Sequence, residues 1–500
     1  MIVLAISTLV FLVVLYFYLT RNFNYWQKRE IPIADGVLPG FGHMKDILLL
    51  KSTISETLRK IYKENKNRSM VGIYSMSTPS LLILEPELVK TVLQTKFVNF
   101  HENYLKTDPK LDPLLSNNPF FTYGEKWQTG RKRLTYAFSN VRLKILFETV
   151  KQVCLKLEEY MDNKIGKAGR AEFLFNRLFA QFTAQVVSTV GFGIDGLCFD
   201  DNEKESLFEM GNVFVKPSTF NHLLFNLVFL IPTIGKLCQS KFLPQNIDHF
   251  FRTMVRDVLH QRRKQGIRGN DFLQLMVDLE KMEGEEFEMD VIASHAVSFF
   301  IDGYTTSSYT LSFVVFHLAN NPEVQKKLRE EVVSVINKYN GELTFEGIKD
   351  MTYLEKVIME SMRVTPSLGF LYKVCTEDTE LAGSDGLVCH VKAGTPIMIS
   401  VRGLHEDARY WENPEEFDPD RFSADRKHSI NRFTYIPFGE GPRMCVGMRM
   451  ALLQIKMCLI TIMRKYSVEL SPKTRLPLKL TASSFLDSPE GGLWGFFRPL

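Results

Sequence analysis

Ten consecutive residues, Phe438-Gly439-Glu440-Gly441-Pro442-Arg443-Met444-Cys445-Val446-Gly447, carry the side chains needed to present one cysteine sulfur to a metal. Gly441 lets the backbone turn without steric cost. Gly447, just past the cysteine, lets a following helix start close to a flat ligand. Phe438 can wall off water, and Arg443 offers a planar fork suited to a carboxylate. Those are the needs of a thiolate ligating heme iron, with backbone N–H groups near the sulfur and a propionate nearby. A free cysteine taken alone is more commonly a small buried hydrophobe. Phenylalanine, two glycines, arginine and cysteine at set spacings argue against that here.

A second group lies in a segment from about Met289 to Asn320, which reads as one long, mostly apolar helix ending before Asn321-Pro322. Apolar residues all round predict a buried helix. In its middle stand Asp302-Gly303-Tyr304-Thr305-Thr306-Ser307-Ser308. A glycine and several hydroxyls there weaken the regular ladder and invite a local bulge, although a Ser/Thr-rich packing face is the plainer alternative. Asp302 and Thr306 share a face at i,i+4.

Further along, Glu360 and Arg363 lie at i,i+3 on a helical stretch that Pro366 ends, and Pro419-Asp420-Arg421-Phe422 comes some sixty positions later. Upstream, Trp127 and Arg131 are one helical turn apart, within a basic cluster Arg131-Lys132-Arg133. Lys373 sits in Tyr372-Lys373-Val374-Cys375.

The cysteine loop resembles the cytochrome P450 superfamily, whose heme-binding loop reads F-x-x-G-x-R-x-C-x-G. The resemblance implies heme b (iron protoporphyrin IX) with Cys445 as axial ligand, and a thiolate whose electron donation favours O–O cleavage. The family's helical oxygen groove reads [A/G]-G-x-[D/E]-T-[T/S]. On that match Gly303 is the groove glycine and Thr306 the hydroxyl that relays protons to oxygen. Thr305 occupies the position of the usual acid, and Asp302 that of the usual small residue. Asp302 is therefore expected to replace the missing acid. The alternative, by analogy with the fatty-acid hydroxylase branch, is an ester between Asp302 and a heme methyl. Glu360, Arg363 and Arg421 match the family's buried structural triad. Trp127 and Arg131 match W-x-x-x-R, and Lys373 the site of an arginine, all three toward the heme propionates. A lysine there binds as a point charge without a bidentate fork.

The implied fold is mainly α with small antiparallel β-sheets, a single large domain. The implied reaction inserts one oxygen atom of O2 into a lipophilic small molecule. Electrons would come from NADPH through an NADPH–cytochrome P450 reductase, with cytochrome b5 a further candidate partner. The anchor, the Tyr-Trp-Gln-Lys-Arg segment and the heme loop look most like insect microsomal P450s of the detoxification type. Two rivals stand beside this reading: a reductase-independent isomerase or dehydratase acting on peroxides, and a non-catalytic heme-binding protein.

The 500 residues contain no linker, repeat or low-complexity tract, so one large domain fits better than the three that length alone suggests. A hydrophobic share of 45% can fill a core around an apolar pocket, and a net charge of +4 argues against a nucleic-acid partner. Seven scattered cysteines without a C-x-x-C pair indicate a reducing compartment. Ile2 to Thr20 is uncharged and, as a helix, about 28 Å long, near the ~30 Å hydrocarbon core. Arg21, Lys28 and Arg29 come next, with Tyr25 and Trp26 as interfacial aromatics, so the positive-inside rule keeps the rest in the cytosol. The expected division is a membrane anchor over 1–20, a basic, proline-bearing hinge over 21–44 and a catalytic domain over 45–500. The expected location is the endoplasmic reticulum membrane, with the catalytic domain on its cytosolic side.

Three regions are expected to shape the substrate pocket: Tyr104 to Tyr123, the Phe- and Leu-rich stretch Thr219 to Leu243, and Phe370. The second reads equally as ordinary core or as a membrane-dipping cap. Arg131 to Arg133, Arg426, Lys427 and Arg449 are candidates for reductase docking. Gly191-Phe192-Gly193-Ile194-Asp195-Gly196 satisfies G-x-G-x-x-G, but Leu197 to Asp201 does not begin a helix, so a helix end is expected rather than a dinucleotide site. The ten histidines form no metal-binding pattern.

Overall fold

Met289–Asn320 folds as an unbroken α-helix of 32 residues, buried along most of its length. The structure, a computed structural model, describes residues 1–203, 206–215, 219–231, 239, 241–284 and 287–500. Around this central helix pack helices Phe175–Val187, Gln245–Gln265, Thr352–Val364 and Met448–Lys465. The expected bulge is absent. The hydroxyls of Thr306, Thr310 and Ser312 each donate to the carbonyl one turn back, at 2.6–3.0 Å, and so comply with the ladder instead of breaking it. Thr183 of the crossing helix adds a bond to the Tyr304 carbonyl at 3.0 Å.

The sheets are small. The largest has five strands in the order Met70–Ser75, Thr78–Ile83, Pro396–Ser400, Phe370–Val374 and Glu102–Asn103. Its pairings are antiparallel except one: Thr78–Ile83 runs parallel to Pro396–Ser400. Those two strands are separated by most of the chain, so no hairpin forces them antiparallel. Tyr466–Leu470, Trp494–Pro499 and Ala171–Leu174 form a second, antiparallel sheet, and Thr379–Ala382 with Val388–Val391 a third. Two apolar cores result, one among the helices and one under the five-stranded sheet.

The segment 21–44 does not stand apart as a hinge. Trp26, Ile31, Ala34 and Met44 are buried in the core of the five-stranded sheet. The Trp26 indole donates to the Ile73 carbonyl at 3.1 Å, and Gly72 exchanges backbone bonds with Pro32 and Ala34. Only glycine fits there, since a Cβ on Gly72 would stand 2.4 Å from the indole. Trp26 is therefore a core residue and not an interfacial one. Helix Ile2–Thr20 precedes this segment with none of its residues buried.

Glu360 lies on helix Thr352–Val364 and is fully buried. Both its oxygens receive Arg363 at 2.8 Å, and Oε1 also receives Arg421 at 3.2 Å and the Asp418 N–H at 3.0 Å. Arg363 donates two further protons to the carbonyls of His405 and Glu416, and the ion group ties the helix to the loop before the cysteine. The G-x-G-x-x-G stretch is a helix end. Ser188–Phe192 closes the helix, Gly193 takes φ +67°, and a Cβ on Gly191 would meet Phe299 at 2.9 Å.

Candidate functional site

Cys445 faces a cavity of about 860 Å³ at the junction of the two cores. The other described cysteines are buried in the protein, whereas Cys445 is open to this space. Its loop is set by two close approaches. Gly441 at φ +75° passes so near Leu93 that a Cβ would stand 2.0 Å from the Leu93 carbonyl oxygen. The Cys445 N–H then returns to the Phe438 carbonyl at 2.9 Å. At Gly447, which caps helix Met448–Lys465, a Cβ would meet nothing within 4 Å and would project into the cavity's margin. That is the cradle a flat ligand needs. Burial pushes the Cys445 thiol up to about 11, against the backbone N–H groups of Gly447 and Met448 and the Arg131 charge. A bound iron would instead favour the thiolate.

Three cations converge on one edge. Arg443 donates to the carbonyls of Pro119 and Thr122 at 2.9 and 2.8 Å, lies 4.4 Å over the Trp127 ring, and has a buried Nε without a partner. Arg131 donates to the Met444 carbonyl. Lys373 is only 6% exposed and donates to Asn103 Oδ1 at 2.7 Å. Burial, helped by the Arg443 charge, holds the Lys373 ammonium down at about 7. Burial likewise lowers Arg443 to about 10. None of the three appears among the ion pairs of the described residues. Buried cations without carboxylates are costly, and two propionates would neutralise them. The residues fit heme.

The opposite wall is the central helix. Asp302, Gly303, Thr305 and Thr306 all border the cavity, as do Phe438, Trp127, Arg131, Lys373 and Arg443. Thr306 Oγ1 donates to its own helix at the Asp302 carbonyl, 2.6 Å away. Asp302 is exposed where it borders the cavity. Desolvation by the surrounding protein pushes its carboxyl up to about 6, although Asn118 Nδ2 donates to Oδ2 at 3.1 Å and pulls it down. The Thr305 hydroxyl is buried without a partner.

Two residues here had no sequence signal. Asn118 is fixed by an Asx turn, its Oδ1 receiving the Phe120 N–H at 2.7 Å, and reaches Asp302 across 184 positions. Gln454, on the helix after the cysteine, donates to the Gly303 carbonyl at 3.3 Å and to Ser307 Oγ at 2.8 Å. Gln454 is the seventh residue of that helix, just under two turns from its start.

Of the expected pocket regions, Tyr104 to Tyr123 contributes Leu105, Asn118 and Phe120, and the later stretch contributes Leu224, Phe242 and Leu243. Pro232 and Gly235 lie outside the described residues. Phe370 does not face the cavity. Strand alternation turns Leu371 and Lys373 toward it and sends Phe370 into the core against Phe229 and Phe485.

A thiol open to a cavity, a rim of unpaired cations and a hydroxyl-bearing helix opposite define a heme-thiolate protein. The chain belongs to the cytochrome P450 family. A family model described as Cytochrome P450 matches residues 34–496. Similar proteins include cytochrome P450 6j1 of Blattella germanica, 34% identical over 481 residues (96% of this chain and 94% of the relative). Probable cytochrome P450 28d1 of Drosophila melanogaster is 31% identical over 503 residues, covering 98% of each chain. Cytochrome P450 6B7 of Helicoverpa armigera is 30% identical over 497 residues, 97% of this chain and 96% of the relative. The protein is thus a heme-containing oxidoreductase of the monooxygenase class, with insect P450s among its relatives.

Proposed function

We propose that the protein is a membrane-anchored monooxygenase acting on a lipophilic small molecule, with electrons from NADPH delivered by a reductase. The reading rests on Cys445 opening into a largely apolar cavity whose far wall carries Asp302 and Thr306. Bound heme would supply oxygen activation at an iron held by Cys445. Arg131, Arg443 and Lys373 would hold its propionates, with Trp127 stacked beneath the Arg443 fork. Phe438 shields the sulfur side from water. Thr306 donates its proton to the helix at rest and can turn it to the cavity, while Asp302, one helical turn back, has a carboxyl raised to about 6, close enough to neutrality to take up a proton and pass it on. Asn118 orients that carboxyl.

Helix Ile2–Thr20 is long and apolar enough to cross a bilayer. Exposed Leu38 and Phe41 flank Gly40, which Leu19 near the helix end approaches, and they support a domain resting on the endoplasmic reticulum membrane from the cytosol. For reductase docking, Arg133 and Arg426 are already paired with Glu283 and Asp418, and Arg131 points inward. Lys132, Lys427 and Arg449 remain for an acidic partner such as the reductase or cytochrome b5.

The test is oxygen consumption by the purified protein in phospholipid vesicles with reductase. NADPH-dependent uptake, with a product one oxygen heavier than an added lipophilic substrate, is expected. Turnover of a hydroperoxide with neither NADPH nor O2 would replace this reading with the isomerase one.

A further inference from the structure

Asp487 is a carboxylate that no step above uses, and it is only 3% exposed. It sits where three distant segments meet. Its Oδ2 accepts from Ser55 Oγ at 2.9 Å, its N–H donates to the Ser367 carbonyl at 3.0 Å, and Arg402 stands 3.8 Å away. There is no slack, because a Cβ on Gly369 would lie 1.8 Å from Ser55 Oγ and 2.7 Å from Asp487 Oδ2. The residues just before Asp487, Ser484 to Leu486, form one wall of the cavity, and Ser367 and Leu368, just before Gly369, form the next. Phe485 is wedged between Phe229 and Phe370 at centroid distances of 5.9 and 5.6 Å. Ser367 in turn bonds Thr310 and the Thr306 carbonyl on the central helix.

We infer that Asp487 is a positioning residue whose charge, held by Ser55 and Arg402, seats the Phe485 and Leu368 walls and thereby selects long lipophilic ligands. This rests on the heme-thiolate reading of the cavity. The neighbouring charges explain why the clasp can switch. Helix Ile54–Asn65 presents Ser55 and Glu56, and the segment after strand Pro396–Ser400 presents Arg402 and Glu406. Glu406 is shared among Arg402, Arg59 and Lys63, which divides the attraction Arg402 offers to Asp487. Arg402 Nε has no partner at all. From the central helix, the Tyr309 hydroxyl faces Ser488 beside the clasp. With one shared arginine and one hydroxyl, burial prevails and raises the Asp487 carboxyl to about 7. Below that value the acid is neutral, Arg402 loses its hold, and the wall relaxes.

The test uses the full-length, heme-loaded protein and two heme ligands that do not titrate, methyl isocyanide and n-hexyl isocyanide. Their dissociation constants are read from heme absorbance at pH about 6 and about 8, either side of the carboxyl's value. The preference for the hexyl ligand should be about threefold or more greater at the higher pH, since only the ionised carboxyl engages Arg402. Asp487→Asn should hold the low-pH preference at both. Ser55→Ala, a gentler change, should move the transition to higher pH by removing a donor to the charged form. A preference independent of pH in the wild type, or a pH dependence that survives Asp487→Asn, overturns the inference. So does a transition that Ser55→Ala leaves in place, should the asparagine variant fail to fold. Normal heme absorbance accompanies each of those outcomes. Its complete absence would instead overturn the heme-thiolate reading and this inference with it.

Discussion

Asp302 and Thr306 are held by different means, and the difference predicts different phenotypes. Thr306 bonds its own helix, whereas the Asp302 carboxylate receives Asn118 from a distant loop. Asp302→Asn keeps the Asn118 contact but cannot donate a titrating proton. It should cut product formation by about tenfold or more while NADPH oxidation continues and peroxide accumulates, measured by product-to-NADPH stoichiometry. Asn118→Ala removes a donor that favours the carboxylate, so the Asp302 carboxyl should rise further above about 6. The inflection it gives to the pH–rate profile should then move to higher pH, and an unmoved inflection would show that Asp302 does not govern it. At this scale the cysteine loop was legible because Cys445, Arg443 and Phe438 lie within ten positions and one backbone path joins them. Asn118 was not, because its pairing with Asp302 arises only when a loop folds onto a helix far along the chain.

Among elements, the helix carrying Glu360 and Arg363 is locked to the approach to the cysteine loop by one buried ion group. Glu360→Gln would leave Arg363 and Arg421 buried without their anion and should cost about 3–5 kcal/mol, seen as a lower midpoint in chemical denaturation. The i,i+3 spacing announced this pair, and Pro419-Asp420-Arg421-Phe422 announced its third member. Other element-level features escaped periodicity. The hydroxyls of the central helix suggest a bulge or a packing face, yet those of Thr306, Thr310 and Ser312 find a carbonyl one turn back and the helix stays regular. Phe370 was assigned to the pocket by type, while the pleat decides by parity and gives that place to Leu371.

For the whole molecule, the boundary that matters lies before Trp26 rather than at residue 44. Removing 1–20 should weaken membrane attachment and leave the heme absorbance unchanged, because no residue of helix Ile2–Thr20 is buried in the domain. Removing 1–44 should strip Trp26 and Ile31 from the sheet core and cost about 3–6 kcal/mol for those two side chains alone. Thermal unfolding of the two truncations, compared side by side, checks this. Equal midpoints would mean that the segment is only a tether.

Sequence alone determined the family and with it the cofactor class, the long central helix and the apolar N-terminal segment, and it singled out Cys445 as the candidate axial ligand. Each is a local matter, in which residue types at short spacing dictate backbone turn, helical face or transfer from water. Tertiary structure decided which cations around the cavity lack a carboxylate partner, that Asn118 bonds Asp302, that Trp26 belongs to the core, and that Asp487 joins two cavity walls. Those depend on burial and on partners hundreds of positions apart. A charge's cost, and a carboxyl's proton, are set by what surrounds it, and no spacing along the chain states that.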